Sequence, residues 1–231
     1  MADNSVRIGT QVAYGTGQIA GQTFRDIPSL LLLFFMTNVL GISPAIAGTA
    51  IFAPKFLAGA ISDIAVDVYL DRWRQKIPLY WWLLFGAITT PIAMILLFNV
   101  PALQGSLQVG YIVAIVTLYM FVFASFSVPY LAIASALSSN PLQRTVLMAW
   151  RLVFTAIGIL IAGGLAPAFV AQLGGGERAY SLMALLLAAF CFVSLMIAFF
   201  GARKAIKANP ETTDAIETNL SAGQMLSAVI T

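Results

Sequence analysis

An all-α membrane fold, a bundle of six transmembrane helices, is the fold class this sequence predicts, and three observations carry it. The chain is 60% hydrophobic and 9% charged, against roughly 25% charged residues in an average soluble domain. Apolar runs of roughly 20 residues, each long enough to cross a ~30 Å hydrocarbon core, recur along it. Proline and glycine punctuate the joints between runs, and lysine and arginine gather at alternate joints.

The predicted spans are residues 12–40, 44–70, 78–99, 107–137, 142–172 and 179–202. The first ends at Gly41-Ile42-Ser43-Pro44 and the second at Pro78. Pro101 with Gly105, Asn140-Pro141 and Gly174-Gly175-Gly176 close the next three. Short joints predict that sequential helices pack beside each other. With a cytoplasmic N-terminus, Arg7, Arg72, Arg74, Lys76, Arg144, Arg203, Lys204 and Lys207 all fall on the inner face, and only Arg178 falls outside. That asymmetry predicts an inner-membrane protein with both ends cytoplasmic. Residues 1–207 form the bundle. Residues 208–231 read as a polar linker followed by LSAGQMLSAVIT, the lead-in to a second half.

Composition excludes several function classes. There is no histidine, so a histidine relay, triad or zinc site is ruled out, and the single cysteine, Cys191, cannot form an intrachain disulfide. No nucleophile–base pair or cofactor motif stands out, so an enzyme is not expected. The net charge of +3 sits at helix ends and does not indicate nucleic acid. The string YGTGQIAG lacks the Lys-Ser/Thr of a phosphate loop. Gly17 and Gly21 read instead as a small-residue ridge for close helix approach, matched on helix five by Gly158, Ala162, Gly163 and Gly164. Pro28, Pro54, Pro129 and Pro167 interrupt helices where freed carbonyls need a cavity or a partner helix. Tyr80, Trp81 and Trp82 read as interfacial anchors.

Charges inside these apolar spans carry the functional argument. An ionisable group at the bilayer centre costs ~2.5–3.5 kcal/mol or more, so such residues pair or line a polar path. Helix two holds Asp63 and Asp67 at i and i+4, on one face, with Lys55 about 12 Å away by helical rise. Counting from Pro44, Lys55 lies near mid-membrane and Asp63 in the inner third. Helix one carries Arg25 and Asp26. Adjacent helical residues point about 100° apart, so each needs another partner, and Lys55 is the natural one for Asp26. Arg151 is a third cation, inside helix five. Two readings stand side by side: a cationic midplane for an anionic cargo, or interhelical salt bridges with no cargo contact.

Tyr14–Gly21 with Thr37–Ser43 resembles the opening of the glycoside–pentoside–hexuronide:cation symporters, the melibiose-permease-like branch of the major facilitator superfamily. Arg72-Trp73-Arg74-Gln75-Lys76-Ile77-Pro78 is similar to that family's basic loop between helices two and three. Val128-Pro129-Tyr130-Leu131-Ala132, running on to Gln143-Arg144-Thr145 and Ala149-Trp150-Arg151, is the clearest match. The glycine triplet at 174–176, Tyr180 and Phe199–Lys204 extend it. The resemblance implies the N-terminal half of a twelve-helix transporter with alternating access around a midplane site. It also implies acids on helices one and four for sugar, which fall here on Gln22 and Ser127, and an acidic pair on helix two for the coupling ion. The first acid of that pair falls on Ala58 or Gly59, and Asp63 stands at or beside the second.

The expected function is secondary active symport of a sugar, glycoside or related small polar or anionic solute. Gln22, Arg25, Asp26, Lys55, Ser127 and Arg151 are the substrate candidates and Asp63 the coupling residue. No cofactor or metal is expected, and the coupling ion is H⁺ or Na⁺. A single carboxylate suits a proton, which it carries when desolvation favours the neutral form. Expected partners are the solute, the lipid bilayer, and a C-terminal six-helix half or a second copy; no nucleic acid is expected. The rivals are a half-transporter that dimerises and a membrane scaffold without transport.

Overall fold

The computed structural model describes residues 8–73, 77–137 and 141–208. Among them there are seven α-helices, two π-helical turns and no strand, arranged as six rods. Helix α1 (Ile8–Phe34) runs into a π turn at Phe35–Val39. Helices α2 (Pro44–Trp73), α3 (Leu79–Phe98) and α4 (Ser106–Leu137) are the next three rods. Helix α5 (Pro141–Leu160), a π turn (Ile161–Leu165) and α6 (Ala166–Gln172) make the fifth, and α7 (Glu177–Ala208) the sixth. Arg7, Arg74, Lys76, Asn140 and residues 209–231 lie outside the described residues, so the basic loop and the second-half lead-in are without structural account.

Sequence explains the joints. Gly41 and Gly105 sit at φ +68° and +60°, a left-handed region that only glycine enters without steric cost. After the first π turn, the Leu40 N–H donates to the Phe35 carbonyl (3.1 Å) and the Ile42 N–H to that of Met36 (2.9 Å). These bonds satisfy carbonyls that the helix end leaves free. In the fifth rod the π turn immediately precedes Pro167, whose ring nitrogen cannot donate to the carbonyl four residues back. Pro28, Pro54 and Pro129 lie inside α-helices as expected, and Pro91 is a further interior proline.

Five rods are long and apolar enough to span a membrane: 44–69, 80–98, 106–133, 142–172 and 177–204. Helix α1 has the length, 27 residues, and a lower apolarity, because Gln11, Gln18, Gln22, Arg25 and Asp26 interrupt it. Its position makes this tolerable. Helices α1 and α4 each touch every other rod, and α1 is buried at Gln11, Tyr14, Ala20, Gln22, Phe24 and Ile27. Gln11 and Gln22 are therefore buried in protein, whereas Arg25 stays exposed.

One expectation is corrected. The extensive packings are α1 with α5 and α7, α2 with α4, and α3 with α4 and α7, so only α3–α4 joins sequential rods. Short joints limit how far a chain travels, but close approach is decided by side chains. A Cβ on Gly158 would come within 2.7 Å of Gln22 Cβ and 3.1 Å of the Ile19 carbonyl oxygen, so α1 and α5 meet where helix five has no side chain. Gly17 is held against Tyr130 and Ala198, whereas Gly163 and Gly164 have nothing within 4 Å. The small-residue ridge is thus real on α1 and shorter than expected on helix five. Trp81 and Tyr80 pack near Phe199 at centroid distances of 6.5 and 6.3 Å, joining α3 to α7 in addition to any interfacial role.

Candidate functional site

A cavity of about 330 Å³ lies between α1, α2 and α4, with Leu97 of α3 at its edge. Helix α1 contributes Phe24, Arg25, Pro28, Ser29 and Leu32. Helix α2 contributes Ile51, Lys55, Gly59, Ser62 and Asp63, and α4 contributes Val116, Tyr119, Met120, Phe123 and Ser127. Along α2, Lys55, Gly59 and Asp63 recur every four residues, which keeps them on one slowly turning face. Asp67 continues that series and is exposed.

Of the predicted residues, Arg25, Lys55, Asp63 and Ser127 share this wall, and Gln22, Asp26 and Arg151 do not. The Gln22 amide donates to Asp26 Oδ2 at 2.6 Å, and the Arg25 Nε donates to Asp26 Oδ1 at 3.5 Å. The expectation that adjacent Arg25 and Asp26 cannot pair is therefore corrected. The long arginine side chain folds back far enough for a loose contact, with Arg25 65% exposed and Asp26 22%. Lys55 is not the partner of Asp26 either. Its ammonium donates to Ser29 Oγ at 2.8 Å, and the Ser29 hydroxyl donates to the Arg25 carbonyl at 2.9 Å.

Arg151 occupies a separate place between α1, α4 and α5. Its Nε and Nη2 both donate to Gln18 Oε1, at 3.2 and 2.8 Å, and the guanidinium lies 5.2 Å from the Tyr130 ring centroid. A carboxylate is not needed to hold it: an amide oxygen and an aromatic face share the charge. Beneath it, Tyr14 and Tyr130 stack at 4.6 Å, and each hydroxyl donates to the other's carbonyl at 2.7 Å.

Ser29, Gln18, Phe24 and Tyr119 are site residues that the sequence reading does not name, although three of them carry a signal. Gln18, Gln22, Arg25 and Ser29 fall at i, i+4, i+7 and i+11, one polar face of α1. Tyr119 has a comparable signal in Pro28. The proline leaves the Phe24 carbonyl without its helical donor, and the buried Tyr119 hydroxyl supplies one at 2.6 Å. Proline, carbonyl and tyrosine together shape the cavity wall.

Comparison with known proteins agrees with this architecture. The family described as MFS/sugar transport protein matches residues 13–231. The chain is 27% identical over 220 residues to the inner membrane symporter YicJ of Escherichia coli, covering 92% of this chain and 47% of that protein. It is 26% identical to the isoprimeverose transporter of Lactiplantibacillus pentosus, over 88% of this chain and 43% of the relative. To the symporter YnaJ of Bacillus subtilis it is 30% identical, over 71% and 35%. The chain spans about half the length of these curated relatives. It is an integral membrane protein of a transporter family rather than an enzyme family. Six helical rods and the match across nearly its whole length place this chain in the MFS/sugar transport protein family.

Proposed function

We propose that this bundle is one half of a secondary active transporter for a sugar, glycoside or related small polar or anionic solute. The other half is a second bundle on the same polypeptide or a second copy. The observation that carries the reading is the cavity between α1, α2 and α4, where Arg25, Lys55, Asp63 and Ser127 face one space inside apolar helices. Intramembrane ionisable groups on a shared cavity are the usual mark of a solute or proton path. The names of the relatives, symporters and a sugar transporter, support the same class. The lysine and arginine distribution supports cytoplasmic termini.

Asp63 is the coupling residue in this reading, and a proton is the coupling ion. It is the carboxylate on the cavity wall among the described residues. One carboxylate is enough to carry a proton, whereas a Na⁺ cage draws on several oxygen ligands at once. The test uses the full-length gene product in proteoliposomes, with uptake of isoprimeverose, D-glucose and D-glucuronate driven by an inward proton gradient. Gradient-driven accumulation is expected for the wild type. In Asp63→Asn, accumulation should fall to passive equilibration while exchange of internal for external solute continues. Unchanged accumulation by Asp63→Asn would remove Asp63 from the mechanism.

A further inference from the structure

The cavity has a closed floor and an open side. Phe24, Ser62, Val116 and Tyr119 are buried at its floor, whereas Arg25, Ser29, Lys55 and Asp63 are exposed. Those four exposed residues belong to α1 and α2, so the mouth lies between these two helices. Although consecutive in the chain, α1 and α2 are not among the extensively packed pairs. Both lean on α4 instead. Helix α2 does so through extensive packing, and α1 through the bond from the Tyr119 hydroxyl to the Phe24 carbonyl at 2.6 Å. Helix α4 is thus a shared base on which the two rims can part.

Among the described residues that line the cavity, one side-chain hydrogen bond crosses this mouth. The Lys55 ammonium on α2 donates to Ser29 Oγ on α1 at 2.8 Å. The Ser29 hydroxyl spends its own proton within α1, on the Arg25 carbonyl at 2.9 Å, and so leaves its oxygen lone pairs to the lysine. We propose that Lys55 and Ser29 form a clasp across the mouth, closing the cavity between α1 and α2 and opening it when the bond breaks. The clasp rests on the transport reading of the same cavity for its purpose, which is to gate solute entry. The neutral acceptor suits a bond that must open repeatedly. With one ionised member it is stronger than a neutral hydrogen bond, and it lacks the Coulomb attraction of an ion pair closed in an apolar wall. The exposure of Lys55 supplies the release, because water at the rim replaces the serine when the ammonium lets go.

The experiment reads access to the cavity directly. The full-length gene product, with its native cysteines replaced by alanine, carries Met120→Cys on the α4 wall, and its labelling by N-ethylmaleimide is timed in proteoliposomes. Ser29→Ala and Lys55→Met should each speed labelling by about tenfold, the scale of one charge-assisted hydrogen bond. Ser29→Thr, which keeps the hydroxyl, should label at the rate set by Met120→Cys alone. A second reporter, Val170→Cys, is buried on α6 away from the cavity and should stay slow in every variant. Unchanged labelling at position 120 in Ser29→Ala and Lys55→Met would overturn the clasp. Equal acceleration at position 170 would overturn it too, since it marks a loosened bundle. Uptake of the same three sugars by the wild type tests the transport reading separately. Faster labelling without uptake would overturn that reading and keep the clasp, and uptake with unchanged labelling would do the reverse.

Discussion

Gly86→Leu is expected to yield almost no monodisperse protein in detergent, and Gly86→Ala to be destabilised by about 1–3 kcal/mol, the usual cost of overpacking. Gly86 is buried on α3, facing α4. A Cβ built there would stand 2.6 Å from Phe126 Cβ and 3.0 Å from Phe126 Cα. Neither atom is the free end of a side chain, so relief requires α3 and α4 to separate. Phe126 is itself fixed from behind by its stack on Tyr130, at 5.2 Å between centroids. The glycine carbonyl also accepts from the buried Thr90 hydroxyl of the same helix. Gly110→Ala is the control: nothing lies within 4 Å of its added carbon, and helix propensity favours alanine. Size-exclusion profiles over a temperature series separate the outcomes. Wild-type behaviour in Gly86→Leu would mean that the α3–α4 contact does not hold the bundle together.

That contact illustrates where sequence reasoning reached and where it stopped. Helix number and joints were legible because a membrane span announces itself over some 20 residues and its breaks fall on Pro and Gly. Which rods pack together was not legible. Gly86, the glycine with the closest backbone approach, has no partner glycine at a recognisable spacing; its partner is Phe126. Conversely, Gly163-Gly164 looked like a packing ridge and faces open space. A helix surface becomes an interface only when the opposing surface is known.

The charged residues divide in a similar way. Depth counting placed Arg25, Lys55, Asp63 and Arg151 inside the membrane, and three of them do share a cavity. Pairing could not be read off, since it depends on side-chain reach of several ångströms across elements of unknown separation. Opposite sign alone pairs Lys55 with Asp26, whereas its ammonium bonds Ser29. Arg151 is expected among the cavity residues and is instead held by Gln18 and the Tyr130 ring. In both places the acceptor is neutral, which a search for opposite charges overlooks. The neutral partner matters for function, because a lysine whose charge is unspent remains available to a ligand.

Tyr119→Phe is expected to destabilise the bundle by about 1–3 kcal/mol, and Tyr130→Phe by about 0.5–1.5 kcal/mol, although each removes one buried tyrosine bond of similar length. The bonds measure 2.6 Å from Tyr119 to the Phe24 carbonyl and 2.7 Å from Tyr130 to the Tyr14 carbonyl. Their acceptors differ. Tyr14 lies four residues before Gln18, whose N–H is available within α1, so its carbonyl keeps a helical donor. Phe24 lies four residues before Pro28, which has no N–H to give. Without the Tyr119 hydroxyl, the Phe24 carbonyl is left buried and unpaired, and the cost becomes that of desolvating a polar group rather than of losing a surplus bond. The same logic fixes the remedy. Pro28→Ala restores an amide donor one turn below Phe24, so the Pro28→Ala/Tyr119→Phe double variant should be more stable than additive losses predict, a coupling that a double-mutant cycle measures. Because Phe24, Pro28 and Tyr119 all line the cavity, rescue of stability by Pro28→Ala should come with altered solute uptake. The two variants combining additively in thermal unfolding would show that Tyr119 acts through packing alone and that the proline-freed carbonyl has another partner.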